Sequence, residues 1–482
     1  MLSNMWGSLT VIVTLLSSII SAELMNIPDS WENVNYNRII DVSKSYTTEI
    51  FEVKVKNIGS TPTNEYYFAL SKDIIENVSV FTASLTQNFQ ESFLNSSILK
   101  QGSITDGGFT IGYSLIIFPD DIQPNEEVTF LAKVIYNIAG KPYPEHIAME
   151  DEQFLLLETN RLPLSIYPTS QSSLRVIGSN SFEEIDAPEN QHLIGQNSEN
   201  GFIFENWASI HALEIETPLK IRYSHNSPIN KVYKLTRDVW LSNWANTIQF
   251  EESYELTNAG AKLNKGFSRF EYMRLASQNK QGHHRAIIEH ILPSDSSDHY
   301  FTDLVGMVST ARVQNDHYFL KPRYPIFGGW NYNFTVGWTN SLPQFLHTSA
   351  SDVEEFKNDN VYLLSVPALN GPLDTSYDIV ELSIYLPEGA VIHEIDPPFP
   401  FIDLSIDTVK SYLDLGNGHV KITLKFQNLV DELSIANVFV KYSYSTTAMY
   451  KKPLSIACYV FVALISLFFL KQIDLKVTST VH

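Results

Sequence analysis

The chain has 482 residues, a formal net charge of −21 at pH 7, and 44% hydrophobic and 12% aromatic residues. The acidic balance opposes nucleic acid and anionic lipid, both of which require clustered Lys and Arg. A single cysteine, Cys458, excludes an intrachain disulfide framework, so a body of about 430 residues must be held by ordinary cores and divides into two or three domains.

Leu9–Ile20 is a short apolar run followed by Ser21 and Ala22. The pattern predicts a signal peptide over residues 1–22, cleaved after Ala22, although Met1–Ser8 carries no Lys or Arg. The rest up to Tyr450 is then translocated. It reads as short runs of β-branched and aromatic residues alternating with polar ones: Glu49–Lys56, Val128–Ile135 and Lys421–Phe426. Turn residues punctuate them at Asn57-Ile58-Gly59, Asp106-Gly107-Gly108, Asn370-Gly371-Pro372, Pro387-Glu388-Gly389 and Asn417-Gly418. Helical patterns are scarce, the best being Phe267–Ala276 and Arg285–Leu292. A weak internal repeat pairs Thr47–Gly59 with Thr247–Gly260, and Ser173–Ile177 with Ile379–Leu386. The expected fold is mainly β: two β-sandwich-like domains, residues 23–235 and 236–450, followed by one transmembrane helix.

That helix is predicted over residues 451–473. Leu454–Leu470 holds no charge, and about seventeen apolar residues are just enough to cross a ~30 Å hydrocarbon core. Lys451, Lys452, Lys471 and Lys476 flank it and snorkel to the headgroups. Residues 474–482 form a short tail. Signal then stop-transfer defines a type I topology. The motifs Asn77-Val78-Ser79, Asn95-Ser96-Ser97 and Asn333-Phe334-Thr335 make Asn77, Asn95 and Asn333 candidate N-glycosylation sites in the translocated body. On the span, Ser455, Cys458, Tyr459, Val462 and Ser466 fall along one stripe, the candidate face for a partner helix, because small and hydroxyl-bearing residues permit close packing.

The chain shows no Gly-x-Ser-x-Gly elbow, phosphate loop or Asp-x-Asp pair. His283, His284, Glu289 and His290 come nearest to a metal cluster, read as a helix face. Asp295, Asp298, His299 and Asp303 form a polar knot after Pro293, read as a loop. The pairs Glu126-Glu127, Glu183-Glu184, Glu251-Glu252 and Glu354-Glu355 read as solvated surface. Trp240, Trp244, Trp330, Tyr332, Phe334 and Trp338 are either sandwich core or a stacking surface for sugar or a partner. No catalytic, cofactor-binding or metal residue is assigned.

Several stretches carry a resemblance: Trp31–Tyr36, Lys141–His146, Leu157–Leu164, Arg237–Trp244, Asn264–Arg269, Asp298–Gly306, Pro322–Trp330 and Lys452–Ala457. Together they resemble the ribophorin I family, the alpha or first subunit of the oligosaccharyltransferase complex of the endoplasmic reticulum, over the whole mature chain and most closely its yeast-type members. The resemblance implies a non-catalytic, cofactor-free subunit with a lumenal body, single-pass in the endoplasmic reticulum membrane. It would serve assembly and acceptor handling in transfer of a preassembled oligosaccharide from dolichyl diphosphate to Asn of Asn-x-Ser/Thr. The implied partners are a multispan catalytic subunit, small membrane subunits and nascent acceptor polypeptide, with no nucleic acid. Animal members extend far beyond the span on the cytosolic side and this sequence does not, so a ribosome-contacting role is not carried over. The rival readings are a lumenal lectin or peptide-binding quality-control protein using Trp330–Trp338, and a hydrolase around His283–His290.

Overall fold

A computed structural model describes residues 29–472 except 88–89, 107–108, 187–194, 200, 214–217, 278–281, 350–359 and 412–417. The expected signal peptide, residues 1–22, and tail, residues 474–482, lie outside the described residues. The chain forms two compact units. One takes the chain up to Ile229 with Ala259–His284 and Phe327–Gly329; the other takes Asn230–Asn258, Arg285–Ile326 and the chain from Trp330 onward.

The first unit is built on an eight-stranded sheet. Its strands are β1 (Trp31–Asp41), β2 (Thr47–Asn57), β3 (Val78–Gln87), β4 (Gln90–Phe93), β5 (Glu127–Tyr136), β6 (Thr169–Ile177), β7 (Gln196–Ser198) and β8 (Gly201–Ile210), in the order β7-β8-β6-β1-β2-β5-β3-β4. The second unit repeats the plan with β9 (Asn230–Ser242), β10 (Thr247–Asn258), β11 (Ser297–Asp303), β12 (Gly306–Met307), β13 (Asn331–Ser341), β14 (Thr375–Leu386), β15 (Asp403–Val409) and β16 (His419–Val430). Their order is β15-β16-β14-β9-β10-β13-β11-β12. Each sheet has one parallel pair, β1 with β6 and β9 with β14. Both first strands bulge near their start, between Asn33 and Asn35 and between Val232 and Lys234. A bulge resets the period-2 alternation, and beyond it Tyr36, Arg38 and Ile40 face the core, as do Leu235, Arg237 and Val239.

Each large sheet is covered by a three-stranded and a four-stranded sheet. In the first unit these are Thr63–Ser71, Asn95–Asp106 and Phe109–Ile122, and Lys141–Pro142, Phe154–Asn160, Phe182–Ile185 and Pro218–Ser224. They cover two separate cores, one around Tyr36, Phe51, Tyr66 and Phe130 and one around Ile40, Leu155, Val176 and Ile221. In the second unit the covers are Ile288–Ile291, Ala311–Gln314 and His317–Leu320, and Leu346–Ser349, Asn360–Pro367, Val391–Asp396 and Asn437–Tyr444. There the core is continuous, from Tyr318 and Leu320 to Leu364 and Tyr442.

Helices are few. α1 (Lys72–Asn77) is capped by the Ser71 hydroxyl, and α2 (Arg269–Ser277) falls where periodicity placed it. The expected helix at Arg285–Leu292 is instead a strand, Ile288–Ile291, paired with His317–Leu320. Its β-branched isoleucines suit a pleated surface, and Ile288, His290 and Leu292 point inward with period 2. α3 (Thr446–Gln472) begins before the predicted Lys451 and carries an 18-residue window of mean hydropathy 2.4, none of it buried. Its length and composition suffice to cross a membrane.

Candidate functional site

A concavity of about 1190 Å³ lies in the second unit where the β9–β10 hairpin meets the first turns of α3. The hairpin contributes Trp240, Trp244 and Glu251. Tyr300, Glu388 and Tyr444 come from elsewhere in the unit, and α3 contributes Met449, Lys452, Pro453 and Ile456. Trp240 stacks on Tyr385 with centroids 3.7 Å apart and planes 4° from parallel. Trp244, at the hairpin tip, is 66% exposed. The Tyr300 hydroxyl donates to the Glu251 carboxylate, and burial and that carboxylate push the phenol well above its usual range. Trp240 and Trp244 are visible in the sequence as a pair; Glu388 and His419 reach the cavity only through the sheet order, so sequence patterning had no signal for them.

The other expected aromatics do not form a surface. Tyr332, Phe334 and Trp338 are buried core residues of β13, with Trp338 stacked on Phe250 at 5.2 Å and Phe334 on Tyr254 at 4.8 Å. Trp330 packs partly buried against that core. A stacking site over Trp330–Trp338 is therefore ruled out by packing.

The histidines do not share a helix face. His283 belongs to the first unit and packs on Phe327 at 5.8 Å; His290 belongs to the second and lies against Tyr254 at 5.4 Å. Burial lowers His283 to about 4 and His290 to about 3, the neighbouring Arg237 adding to the second shift. Both are therefore neutral at pH 7. Among the described residues no group of His, Cys, Asp and Glu is placed to hold a metal ion. The polar knot is not a loop: Asp295 sits in the turn after Pro293, but Asp298, His299 and Asp303 lie on β11, where the Asp303 carboxylate accepts from Val305 N at 2.9 Å, Gly306 N at 3.2 Å, Arg323 Nε at 2.6 Å and Tyr332 Oη at 3.1 Å. Asp295 and Asp298 take positive φ.

Two of the paired carboxylates correct the solvated reading. Alternation sends Glu251 outward and Glu252 inward, where Arg237 pairs with it and Tyr254 Oη donates at 2.5 Å. Likewise Glu183 meets Arg222 at the surface, while Glu184 is buried against Arg161. The first unit holds a comparable group in a cavity of about 490 Å³ lined by Arg38 and Glu49. Arg38 is bidentate to Glu49 at 2.8 Å for both bonds, and Tyr136 Oη donates to the same carboxylate at 2.8 Å.

Of the sequon residues, Asn95 and Asn333 are exposed on strands. Asn77 is half-buried at the end of α1, its amide donating to the Asp73 carbonyl at 2.8 Å. On α3, Cys458, Tyr459, Val462 and Ser466 are exposed and Ser455 is half-buried. The Ser455 hydroxyl donates to the Lys451 carbonyl at 2.7 Å and that of Ser466 to the Val462 carbonyl at 2.8 Å.

These features define a class: a duplicated β-sandwich protein with a span-length apolar helix after its second unit. A profile of the Ribophorin I family matches residues 31–471, and the chain belongs to that family. It is 26% identical over 451 residues, 92% of this chain and 93% of the relative, to dolichyl-diphosphooligosaccharide–protein glycosyltransferase subunit 1B of Arabidopsis thaliana. It is 25% identical over 451 residues, 91% of this chain and 94% of the relative, to subunit 1 of Schizosaccharomyces pombe. Against subunit 1 of Caenorhabditis elegans the identity is 23%, covering 94% of this chain and 74% of the relative. Among solved structures, the M1 zinc metallopeptidase of Deinococcus radiodurans matches 44% of this chain and 48% of its own at 11% identity and a TM-score of 0.23, a likeness too slight to define fold or function.

Proposed function

We propose that this chain is a non-catalytic subunit of the oligosaccharyltransferase complex, which transfers a preassembled oligosaccharide from dolichyl diphosphate to Asn of Asn-x-Ser/Thr in nascent proteins. The observation that carries the reading is the family match across residues 31–471, with relatives named as subunit 1 of that transferase over most of both chains. The relatives' names, as subunits of that transferase, support an accessory role with the chemistry in a separate multispan subunit. Both units, up to residue 450, lie in the endoplasmic reticulum lumen, residues 451–473 cross the membrane and 474–482 face the cytosol. The subunit supports assembly and handles acceptor polypeptide. Asn95 and Asn333, both exposed, carry glycans more readily than Asn77.

Depletion of the chain tests the role: unrelated glycoproteins should become underglycosylated, and full occupancy after depletion would sink it. Protease added to sealed microsomes should trim only the tail, with loss of the body overturning the topology. An endoglycosidase that left gel mobility unchanged would count against the glycan sites. The stripe Ser455, Cys458, Tyr459, Val462 and Ser466 docks on a neighbouring helix of the complex. The two serine hydroxyls bond their own helix, so the contact uses their small size rather than interhelical hydrogen bonds.

A further inference from the structure

We propose that the groove between the β9–β10 hairpin and α3 binds a choline phospholipid of the membrane that α3 enters. The trimethylammonium group lies among Trp244, Tyr300, Glu251 and Glu388, and the phosphate lies toward Lys452. The proposal rests on the reading of α3 as a membrane span.

Position is the first argument. Lys452, Pro453, Ile456 and Ala457 form one wall of the groove, and Ile456 and Ala457 lie inside the uncharged run Leu454–Leu470. The groove therefore opens at the boundary between headgroups and hydrocarbon. Trp244, 66% exposed, and Tyr450, 57% exposed, stand beside this boundary, where amphipathic rings concentrate. Lys452 and Ile456 are four residues apart and share a helix face. A phosphate held at the lysine sends its acyl chain down past the isoleucine. A volume of about 1190 Å³ exceeds what a headgroup alone requires.

Charge is the second argument. Glu251, Asp298 and Glu388 line the groove against Lys452 and His419. Such walls repel diphosphates and anionic headgroups and favour a ligand that carries its own cation. A quaternary ammonium donates no hydrogen bonds, so aromatic faces backed by carboxylates satisfy it fully. The Tyr300 hydroxyl already takes one Glu251 oxygen, which fixes the carboxylate in place while leaving its charge.

The test uses the intact complex in native membranes. Cells expressing the chain are fed a phosphatidylcholine bearing a diazirine beside the glycerol, or the phosphatidylserine counterpart. Adducts are then mapped by mass spectrometry. Choline-lipid adducts are expected on Trp240–Glu251 and Tyr444–Ala457 at about threefold or more over serine-lipid adducts, as a cation–π site predicts. The double variant Trp244→Ala, Glu388→Gln changes no buried side chain, and it should lower rim adducts about fivefold. Adducts along Phe461–Phe468 should be equal for both lipids and both proteins. Equal rim labelling by the two lipids, or an unaffected variant, overturns the proposal. So does a bare rim with a labelled span. An unlabelled span overturns the membrane reading as well, which separates the two failures.

Discussion

The two units differ most where they are most alike. With the bulges of β1 and β9 aligned, Arg38 and Arg237 occupy the same place, and each sits between a glutamate and a phenylalanine of the next strand. Arg38 faces Phe51 in register and pairs with Glu49; Arg237 faces Glu252 in register and lies over Phe250, 5.0 Å from its centroid. The acid and the ring have exchanged positions while the arginine has stayed. In the first unit the seam between the two covering sheets is open, and Arg38 and Glu49 line a cavity of about 490 Å³. In the second unit His290, Tyr254 and Tyr377 are fully buried in one continuous core around Arg237. Burial there pulls Arg237 down to about 10, still charged at pH 7. A duplicated sheet thus retains a buried cation in both copies, and the covering layer decides how much water reaches it.

The largest effect expected is at these arginines. Arg237→Met strands Glu252 in a dry core and should cost about 3–5 kcal/mol of unfolding free energy. Arg38→Met, whose carboxylate partner borders a cavity that admits water, should cost about 1–3 kcal/mol. Equal losses, measured by denaturant unfolding of the detergent-solubilised chain, would break the link between the open seam and its tolerance.

Acid sensitivity should come next. Each unit holds a strongly depressed histidine, with folded values of about 4 for His283 and about 3 for His290 against 6.5 unfolded. Between those limits the unfolded chain binds more protons than the native one. The stabilisation is therefore complete above pH 6.5 and lost as pH falls, at ~1.4 kcal/mol per pH unit for each histidine. By pH 4.5 this amounts to about 2–3 kcal/mol in the second unit. His290→Gln should flatten that slope relative to the wild-type chain; an unchanged slope would place the protonation elsewhere.

A smaller loss should be shared by both copies. The buried amide of Asn57, at the end of β2, donates to the Thr61 and Ile122 carbonyls, and that of Asn258, at the end of β10, donates to Ile326. Asn57→Ala and Asn258→Ala should each cost about 1–2 kcal/mol by removing buried hydrogen bonds that tie the strand end to a neighbouring segment. A loss in only one unit would show that the repeated Asn-x-Gly no longer has a repeated job. The smallest effect belongs to α3. Ser455→Leu with Ser466→Leu should weaken assembly severalfold relative to Leu464→Phe, because the bulkier side chains block the close approach of a neighbouring helix. Co-isolation of the complex from mild detergent reads it, and parity with the control would remove the stripe as an interface.

By itself the sequence determined most of the strands, the long apolar helix and the trace of the duplication. Thr47–Gly59 and Thr247–Gly260 are β2 and β10 with the residues that end them, and Ser173–Ile177 and Ile379–Leu386 lie in β6 and β14. These are local properties: period 2, turn chemistry and an uncharged run are written in neighbouring residues. Three things were illegible: the strand at Ile288–Ile291, the burial of Glu252 and Glu184, and the gathering of Glu388 and His419 beside Trp240. A segment such as Arg285–Leu292 satisfies helix and strand patterns alike until a partner strand, here His317–Leu320, supplies hydrogen bonds. A glutamate reads as surface until a buried arginine from another strand meets it. Only the tertiary structure decided these, because the energy of a buried charge or a short strand resides in partners distant in the chain, and local patterning carries no record of them.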